Sequence, residues 1–304
     1  MKGDRTRASV RPPPSTRFPR ADDELEYVTR SMVWSADRRT LWRAWGPADR
    51  PWALGVSVDG RRWWIDARGA SRTEARHAVR ELFSLEHDLP AFYRLVRREP
   101  VLRGTDRTFR GLRLPRDPSL YESLVHAIIG QQLSVLAADT LWRRTLAAAH
   151  AYLPVDGIRL PHAPAPRALL KLGSSGLRGL GLSRAKSTAL VELAKGEIAG
   201  RFATEAFRAM DRDEAIERLD AEPGIGRWTA ENALLRGIGR TDLFVAGDLG
   251  LRLALAQYGV LPRHAPEESA RAWADEHYPG WGSYATLYLW RQLVRDRLPK
   301  KKRG

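Results

Sequence analysis

The chain has 304 residues, a length that accommodates two domains, and its 51 basic and 36 acidic side chains give a formal net charge of +15. It contains no cysteine, which excludes disulfides, a thiol nucleophile, a cysteine-ligated zinc and an iron–sulfur cluster, and no apolar run is as long as a membrane span. The basic excess is compatible with a nucleic-acid partner but does not establish one.

Both ends of the chain are basic. The first 20 residues carry six basic side chains and one acidic one, together with several prolines. We predict that residues 1–22 form a disordered basic arm, because such a composition has too few apolar groups to bury. Residues 300–304 form a basic tail with the sequence Lys-Lys-Lys-Arg-Gly, interpreted either as a solvated tail or as a localisation signal.

Residues 23–113 predict a small α/β domain with an N-terminal sheet. The predicted elements are strands at 26–34, 52–58 and 61–66 and helices that start after Ser71 and after Pro90. Asp59-Gly60 predicts a hairpin turn, and Ser71 with Glu74 forms a capping box. The tryptophans among these strands are interpreted as core or sheet packing rather than as surfaces for base stacking.

Residues 114–299 predict an all-α domain of about ten helices. Asp117 followed by Pro118 is interpreted as the N-cap and first turn of the first helix. That helix leads into Gly130-Gln-Gln-Leu-Ser134, where Ser134 is expected to cap the next helix. Residues 150–166 are predicted to be a loop.

A tight turn, Pro223-Gly224-Ile225-Gly226, separates two helix-like runs further along the chain. Two glycines allow a sharp turn and a close approach of another backbone. The second helix then begins with free N–H groups and a positive dipole end, which suits a phosphate group. The candidate phosphate contacts are Gly224, Gly226 and Thr229 here, with Arg184 and Lys186 in an earlier helix.

Asp248 closes this region, immediately before the apolar run Leu249–Leu255. An aspartate in this place is either a helix N-cap or a carboxylate available for chemistry. The turn alone does not decide between them, because similar hairpins also serve DNA-binding modules without catalytic activity.

Three sequences in this region resemble one family. GQQLS (130–134), GIGRWTA (224–230) and DLFVAGD (242–248) are similar to motifs of the helix–hairpin–helix (HhH-GPD) base-excision DNA glycosylases, and within them of the DNA-3-methyladenine glycosylase II, or AlkA, type. The resemblance covers residues 105–295 well. It implies a mostly α fold in which a small antiparallel-sheet domain precedes a helical glycosylase domain.

The same resemblance implies roles for individual residues. Asp248 becomes the catalytic carboxylate, and Gln132 or Leu133 becomes the wedge that fills the gap left when a base leaves the duplex. Taken from the residues alone, the wedge turn is equally well a polar connection between helices. The implied base-pocket residues are Trp228, Trp281 and Tyr284.

Two positions define the subclass. Asn232 stands where a pocket tyrosine is usual, so the preferred lesion is left open. Trp228 occupies the position where strand-cutting members carry a lysine, and an indole cannot form a Schiff base. The resemblance therefore implies a monofunctional enzyme without AP-lyase activity.

Other catalytic patterns are missing from the sequence. The seven histidines form no HExxH pair, and neither a P-loop, a GxGxxG motif nor a serine elbow occurs. We therefore expect a DNA repair glycosylase without metal or cofactor that hydrolyses the N-glycosidic bond of alkylated bases, of the 3-methyladenine type, flipped out of duplex DNA. The alternatives are a non-catalytic DNA-binding protein on the same hairpin and a glycosylase for other damaged or mispaired bases.

The expected partner is damaged double-stranded DNA, with no membrane and no obligate protein partner. We expect a monomer in the cytoplasm, associated with the nucleoid.

Overall fold

The computed structural model describes residues 5–14, 16–19 and 31–297. The strands are β1 (Arg5–Val10), β2 (Met32–Trp34), β3 (Thr40–Trp45), β4 (Trp52–Asp59), β5 (Arg62–Arg68), β6 (Tyr152–Val155) and β7 (Ile158–Pro161). The helices are α1 (Arg72–Leu82), α2 (Leu89–Val96), α3 (Thr105–Thr108), α4 (Leu120–Gly130), α5 (Val135–Ala148), α6 (Pro166–Gly179), α7 (Arg184–Ile198), α8 (Thr204–Ala209), α9 (Arg212–Asp220), α10 (Arg227–Gly237), α11 (Leu249–Gln257), α12 (Glu267–His277) and α13 (Gly282–Arg297). In the described part of the chain, no helix combines the length and apolarity needed to cross a membrane.

The chain forms two compact units, each built from segments that are not consecutive in the sequence. Unit 1 comprises the described parts of residues 1–14, 18–86 and 115–239, and so contains both sheets, α1 and α4 to α10. Unit 2 comprises the described parts of residues 15–17, 87–114 and 240–304, with α2, α3 and α11 to α13. The domain boundaries at residues 22, 113 and 299 stay predictions.

The large sheet has the order β1-β5-β4-β3-β2, and all its neighbours are antiparallel. Asp59 pairs with Arg62, which confirms the hairpin turn at Asp59-Gly60. The capping box of α1 is also confirmed, since Ser71 Oγ accepts from Glu74 N at 3.2 Å and Glu74 Oε2 accepts from Ser71 N at 2.8 Å. The buried face of α1 joins one apolar cluster with strands β1, β4 and β5.

The prediction that residues 1–22 are disordered is wrong for residues 5–10, which form strand β1. Ala8 and Val10 are buried, and Ala8 pairs with Ile65 of β5. This strand is stabilised by pairing with a distant segment, so its own basic composition does not reveal it. Residues 1–4, 15 and 20–22 of the predicted arm and the predicted tail at 300–304 lie outside the described residues.

For strands β2 and β3, alternation of polar and apolar residues is a poor predictor of strand position. Only the end of the strand predicted at 26–34 lies within the described residues, as β2. Strand β3 was not predicted. Five of its six residues are buried, so polar and apolar positions do not alternate. Trp42 and Trp45 are buried on it, consistent with the interpretation of the tryptophans as packing residues.

Helices α4 to α13 match the predicted number, and the fold is mostly α behind an N-terminal sheet, as expected. The cap of α4 differs from the prediction. Ser119, not Asp117, is its N-cap, since Ser119 Oγ accepts from Glu122 N at 3.1 Å. Asp117 is instead buried and accepts from Arg43 Nη2 at 2.7 Å. A local rule placed the aspartate at the cap, whereas a cation from the sheet holds it in the interior.

The predicted loop at 150–166 contains the β6–β7 hairpin. Its turn residues Asp156 and Gly157 both have positive φ, of 45° and 81°, as a two-residue hairpin turn requires. Val155 and Leu160 pack with Trp42 and other buried residues of the large sheet. Prolines within both short strands masked them in the sequence.

Candidate functional site

The turn between α9 and α10 packs closely against α7. Gly224 has φ of +78°, and a Cβ built there would lie 2.4 Å from Ala189 Cβ, so both conformation and space require glycine. Ile225 is buried and anchors the turn, and its N–H donates to Glu222 O at 3.1 Å. The turn is therefore a rigid support for the start of α10.

Helix α10 begins without a side-chain cap. Its N-cap is Gly226, which is exposed and has extended backbone angles of φ −89° and ψ 171°. The first N–H groups of any α-helix have no partner within the helix. Because no side chain of Gly226 covers them, these donors are available to an anion.

Gln131 connects this turn to the end of α4. Its Nε2 donates to Gly224 O and to Thr229 Oγ1, both at 2.9 Å. Thr229 is buried, so its hydroxyl lies in the interior and only its backbone N–H belongs to the helix start. Gln131 was not among the predicted site residues, although its place in the polar GQQLS turn was a signal.

The GQQLS turn presents exposed side chains on a fixed backbone. Gln132 is exposed with φ of +53°, and Leu133 is 39% exposed. Ser134 caps α5 as predicted, accepting from Ala137 N at 3.3 Å. The apolar surface continues into Val135 and Leu136, which are 49% and 77% exposed. The structure therefore places both wedge candidates at the surface.

Lys186 fixes this turn and is not a surface residue. Its Nζ donates to Ile129 O at 3.0 Å and to Gln131 O at 2.6 Å, where α4 ends. Burial lowers the pKa of the Lys186 ammonium group. The interpretation of Lys186 as a phosphate contact is wrong, because its charge serves the last carbonyls of a helix. Arg184 is exposed and stays a candidate.

Asp248 lies in unit 2, at the start of α11. Its Oδ1 accepts from Leu251 N at 2.9 Å, and its own N–H donates to Val245 O at 3.0 Å. The carboxylate is half-buried. Asp248 is thus an N-cap, as one of the two interpretations of the sequence predicted. The cap hydrogen bond uses only Oδ1 and does not involve Oδ2.

Helix α13 holds the segment that leads to Asp248. Ser283 Oγ accepts from Leu243 N at 3.2 Å, and Thr286 Oγ1 accepts from Val245 N at 3.3 Å. A Cβ at Gly282 would lie 2.9 Å from the carbonyl carbon of Leu243, so the two backbones are in close contact. Ser283 and Thr286 were not among the predicted site residues. Their hydroxyls, three residues apart on one helix face, were the available signal.

The aromatic residues of unit 2 include one that is partly exposed, Trp281, and others that pack beneath it in the interior. The ring of Trp281 is half-buried and lies 5.4 Å from Tyr284 and 5.9 Å from Phe92 between centroids. Tyr284 is fully buried, and its hydroxyl lies 2.9 Å from His87 Nδ1. Burial raises the pKa of Tyr284. Tyr284 therefore supports Trp281 from the interior.

The two remaining pocket positions lie on α10 in unit 1. Trp228 is half-buried, and Asn232, one turn later, is buried. The structure thus places Trp228 and Asn232 on one helix of unit 1, and Asp248, Trp281 and Tyr284 in unit 2.

One group of residues in the described ranges could supply three metal ligands: Asp117, Glu122 and His126. Arg43 Nη2 donates to both carboxylates, at 2.7 Å to Asp117 and at 2.9 Å to Glu122. The Arg43 guanidinium already pairs with both acids, so the group fits a buried ion-pair network. The expectation that the protein uses no metal and no cofactor stays a prediction.

Comparisons with known proteins identify the family of this chain. Residues 125–276 match the model of the HhH-GPD superfamily base excision DNA repair protein. A DNA-3-methyladenine glycosylase of Bacillus subtilis (strain 168) is 28% identical over 222 residues, which are 73% of each chain. DNA-3-methyladenine glycosylase 2 of Escherichia coli (strain K12) is 32% identical over 180 residues, which are 59% of this chain and 60% of that one.

A solved structure is similar over almost the whole chain. The 3-methyladenine DNA-glycosylase from Archaeoglobus fulgidus superimposes with a TM-score of 0.80 and 25% sequence identity, covering 96% of this chain and 100% of that one. The matched family region includes the GQQLS turn, the hairpin and Asp248. The chain therefore belongs to the HhH-GPD superfamily of base excision DNA repair proteins.

Proposed function

We propose that this protein is a monofunctional DNA glycosylase that releases alkylated bases, of the 3-methyladenine type, from duplex DNA by hydrolysing the N-glycosidic bond. The observation that carries this proposal is the fixed, half-buried Asp248 carboxylate in a chain of the HhH-GPD superfamily. The names of its Bacillus and Escherichia relatives support the substrate class.

The chemistry requires an anion near the sugar. Breaking an N-glycosidic bond develops positive charge on the deoxyribose, and a preorganised carboxylate stabilises that charge. Asp248 has one oxygen committed to Leu251 N and a backbone held through Val245, so its position is set before substrate binds. An N-alkylated purine already carries positive charge and can leave without a general acid.

The base pocket is assigned to Trp228 and Trp281, supported by Tyr284. The electron-rich face of an indole attracts a cationic base, with a gain of about 0.5–2 kcal/mol. Both tryptophans are half-buried, so each retains surface for such a contact. Asn232 is the residue we expect to modify lesion preference, since it brings an amide where the family usually has a phenol.

Binding of the duplex is assigned to the start of α10 and to the GQQLS turn. The N–H groups of Gly224, Gly226 and Thr229 lie at or just before a helix start without a side-chain cap, and they suit backbone phosphate, which carries no base sequence. Gln132 and Leu133 are exposed on a braced backbone, as a wedge requires. We place the protein at nucleoid DNA in the cytoplasm, acting as a monomer without a protein partner.

The test is direct. Purified protein is incubated with alkylated duplex DNA, and the released bases are identified by mass, with the Asp248→Asn protein as control. We expect free 3-methyladenine from the parent and far less from the variant. Tight binding of lesion DNA without any released base would favour the non-catalytic alternative. Release of oxidised or mispaired bases only would favour the other glycosylase class.

A further inference from the structure

A second basic feature lies in unit 2, in a segment that the proposed function does not use. Residues 97–110 contain five arginines. Four of them line a surface cavity of about 550 Å³, whose lining residues are Arg97, Arg103, Gly104, Asp106, Arg107 and Arg110. We call this feature the arginine cavity.

Within the described residues, most arginines of the arginine cavity have no acidic partner. Its one acid, Asp106, is buried and pairs with Arg97 at 3.3 Å. Among the residues that the structure describes, no carboxylate lies within ion-pair distance of Arg103, Arg107 or Arg110. Glu99, the other acid of the segment, is buried and accepts from Tyr278 Oη and Leu102 N. Three guanidinium groups therefore line a cavity without a counter-charge.

The segment that carries these arginines is well anchored. Leu102 and Phe109 are buried, and Thr105 Oγ1 donates to Leu102 O at 2.6 Å. Two arginines of α13 pack on the same segment, with the guanidinium carbons of Arg291 and Arg295 lying 6.0 Å and 5.6 Å from the Phe109 ring centre. Like charges held close together on a fixed backbone repel one another, so the arrangement favours an anionic ligand.

We propose that the arginine cavity binds the phosphate backbone of DNA, as a contact separate from the glycine hairpin. This inference rests on the proposed function, which makes a polyanion the substrate. Guanidinium groups bind phosphate oxygens in a bidentate manner and stay charged at any physiological pH. The hairpin offers uncharged N–H groups, whereas the arginine cavity supplies the charge that makes DNA binding sensitive to salt.

The test compares two double variants of equal charge. Arg103→Gln with Arg107→Gln removes two arginines of the cavity. Arg94→Gln with Arg98→Gln removes two exposed arginines that are close in the sequence but do not line the cavity. The affinity of each protein for undamaged duplex DNA is measured by fluorescence anisotropy over a range of salt concentrations, and thermal melting verifies that both variants fold.

We expect the cavity variant to bind about tenfold more weakly at moderate salt. The slope of log affinity against log salt should become shallower by about 1–2, since each lost phosphate contact contributes about 0.9. The control variant should stay close to the parent. Equal slopes for the two variants would overturn the proposal.

Two further measurements distinguish this inference from the proposed function and from a site for small phosphates. Single-turnover base release should be unchanged in the control variant, which keeps both Asp248 and the cavity arginines. Absence of release from the parent itself would instead contradict the proposed function. Inorganic pyrophosphate serves as a small probe. If the cavity substitutions abolish pyrophosphate binding and leave the DNA salt slope unchanged, the cavity is a site for small phosphates and the DNA assignment is wrong.

Discussion

The starts of α10 and α11 both follow a turn, and their N-cap residues differ in chemistry. Each follows a turn with a buried apolar anchor, Ile225 before α10 and Val245 before α11. At α10 the N-cap is Gly226, with no side chain, and at α11 it is Asp248, whose carboxylate accepts from Leu251 N. One helix start exposes its donors, and the other covers one of them with an anion.

Under the proposed function, the cap chemistry of the two helices follows the ligand and not helix stability. Aspartate is at least as good an N-cap as glycine, by a few tenths of a kcal/mol. Helix formation alone would therefore permit a carboxylate at both places. A bare helix start attracts phosphate, and a carboxylate there would repel it. A developing sugar cation requires the opposite, which an anion at α11 supplies.

Asp248→Asn tests the carboxylate with the largest expected effect. Asparagine caps a helix about as well as aspartate, so the melting temperature should hardly change. Loss of the charge should slow single-turnover base release by about 10²–10³, or roughly 3–4 kcal/mol. Binding of lesion DNA should be at least as tight as in the parent, because a charge that repels phosphate is gone.

Asp248→Ala is the matched control for the cap itself, and should lose about 1 kcal/mol of stability in addition to activity. Near-parental rates in Asp248→Asn would make Asp248 a purely structural cap.

Gly226→Asp converts the start of α10 into the type found at α11. The backbone at Gly226 is extended and a Cβ meets nothing within 4 Å, so the substitution fits without strain. We expect stability to rise slightly, while affinity falls about tenfold or more for damaged and undamaged duplex alike, because like charges meet across the contact.

Gly226→Asn separates charge from capping, since it caps without a charge and should bind DNA better than the aspartate variant. A loss of affinity confined to lesion-bearing DNA would show that the hairpin assignment is wrong.

Gln131→Ala should weaken the support beneath the hairpin. The substitution removes both hydrogen bonds from Nε2 and leaves Gly224 O and Thr229 Oγ1 without that donor. We expect a loss of about 1–2 kcal/mol in urea unfolding, with weaker binding to all duplexes. Leu133→Ala, on the exposed part of the same turn, should leave stability nearly unchanged and reduce base release. Equal stability losses in both variants would contradict a bracing role for Gln131.

Glu197, near the end of α7, should make the stability of the protein depend on pH. It lies on α7, the helix whose Ala189 packs against Gly224. Burial, with a smaller effect from Asp49, raises the pKa of Glu197 to about 7. The folded state therefore favours the protonated form, and its contribution to stability is greatest below about pH 4.5 and is lost as pH rises through 7.

Glu197→Gln should accordingly melt at a higher temperature than the parent at pH 8, with the gap closing towards pH 4.5. A gap independent of pH would contradict this titration. Base release per bound complex, which depends on Asp248, should change little.

The last prediction is that no covalent protein–DNA adduct forms during turnover. Trp228 offers no amine near the start of α10, so borohydride added during turnover should trap no covalent protein–DNA adduct. A glycosylase with known lyase activity serves as the positive control. A trapped band that survives denaturation would contradict the monofunctional proposal.

The sequence by itself determined the local features. The hairpin turn, the caps at Ser71 and Ser134, and the order and number of the large helices depend on residues within about four positions of one another, and local rules cover that range. Asp248 was singled out by its distance from the hairpin and by family resemblance. Its cap is visible in the sequence, because a cap also involves neighbouring residues.

Only the tertiary structure decided which side chains meet across the chain. Strand β1 depends on β5, and Asp117 is buried because Arg43 approaches it from the sheet. Lys186 serves carbonyls of another helix, and Tyr284 lies in the interior against His87. The free energy of these contacts comes from pairing between distant segments. Such pairing leaves no periodic pattern in either segment, so it becomes visible only when the fold brings them together.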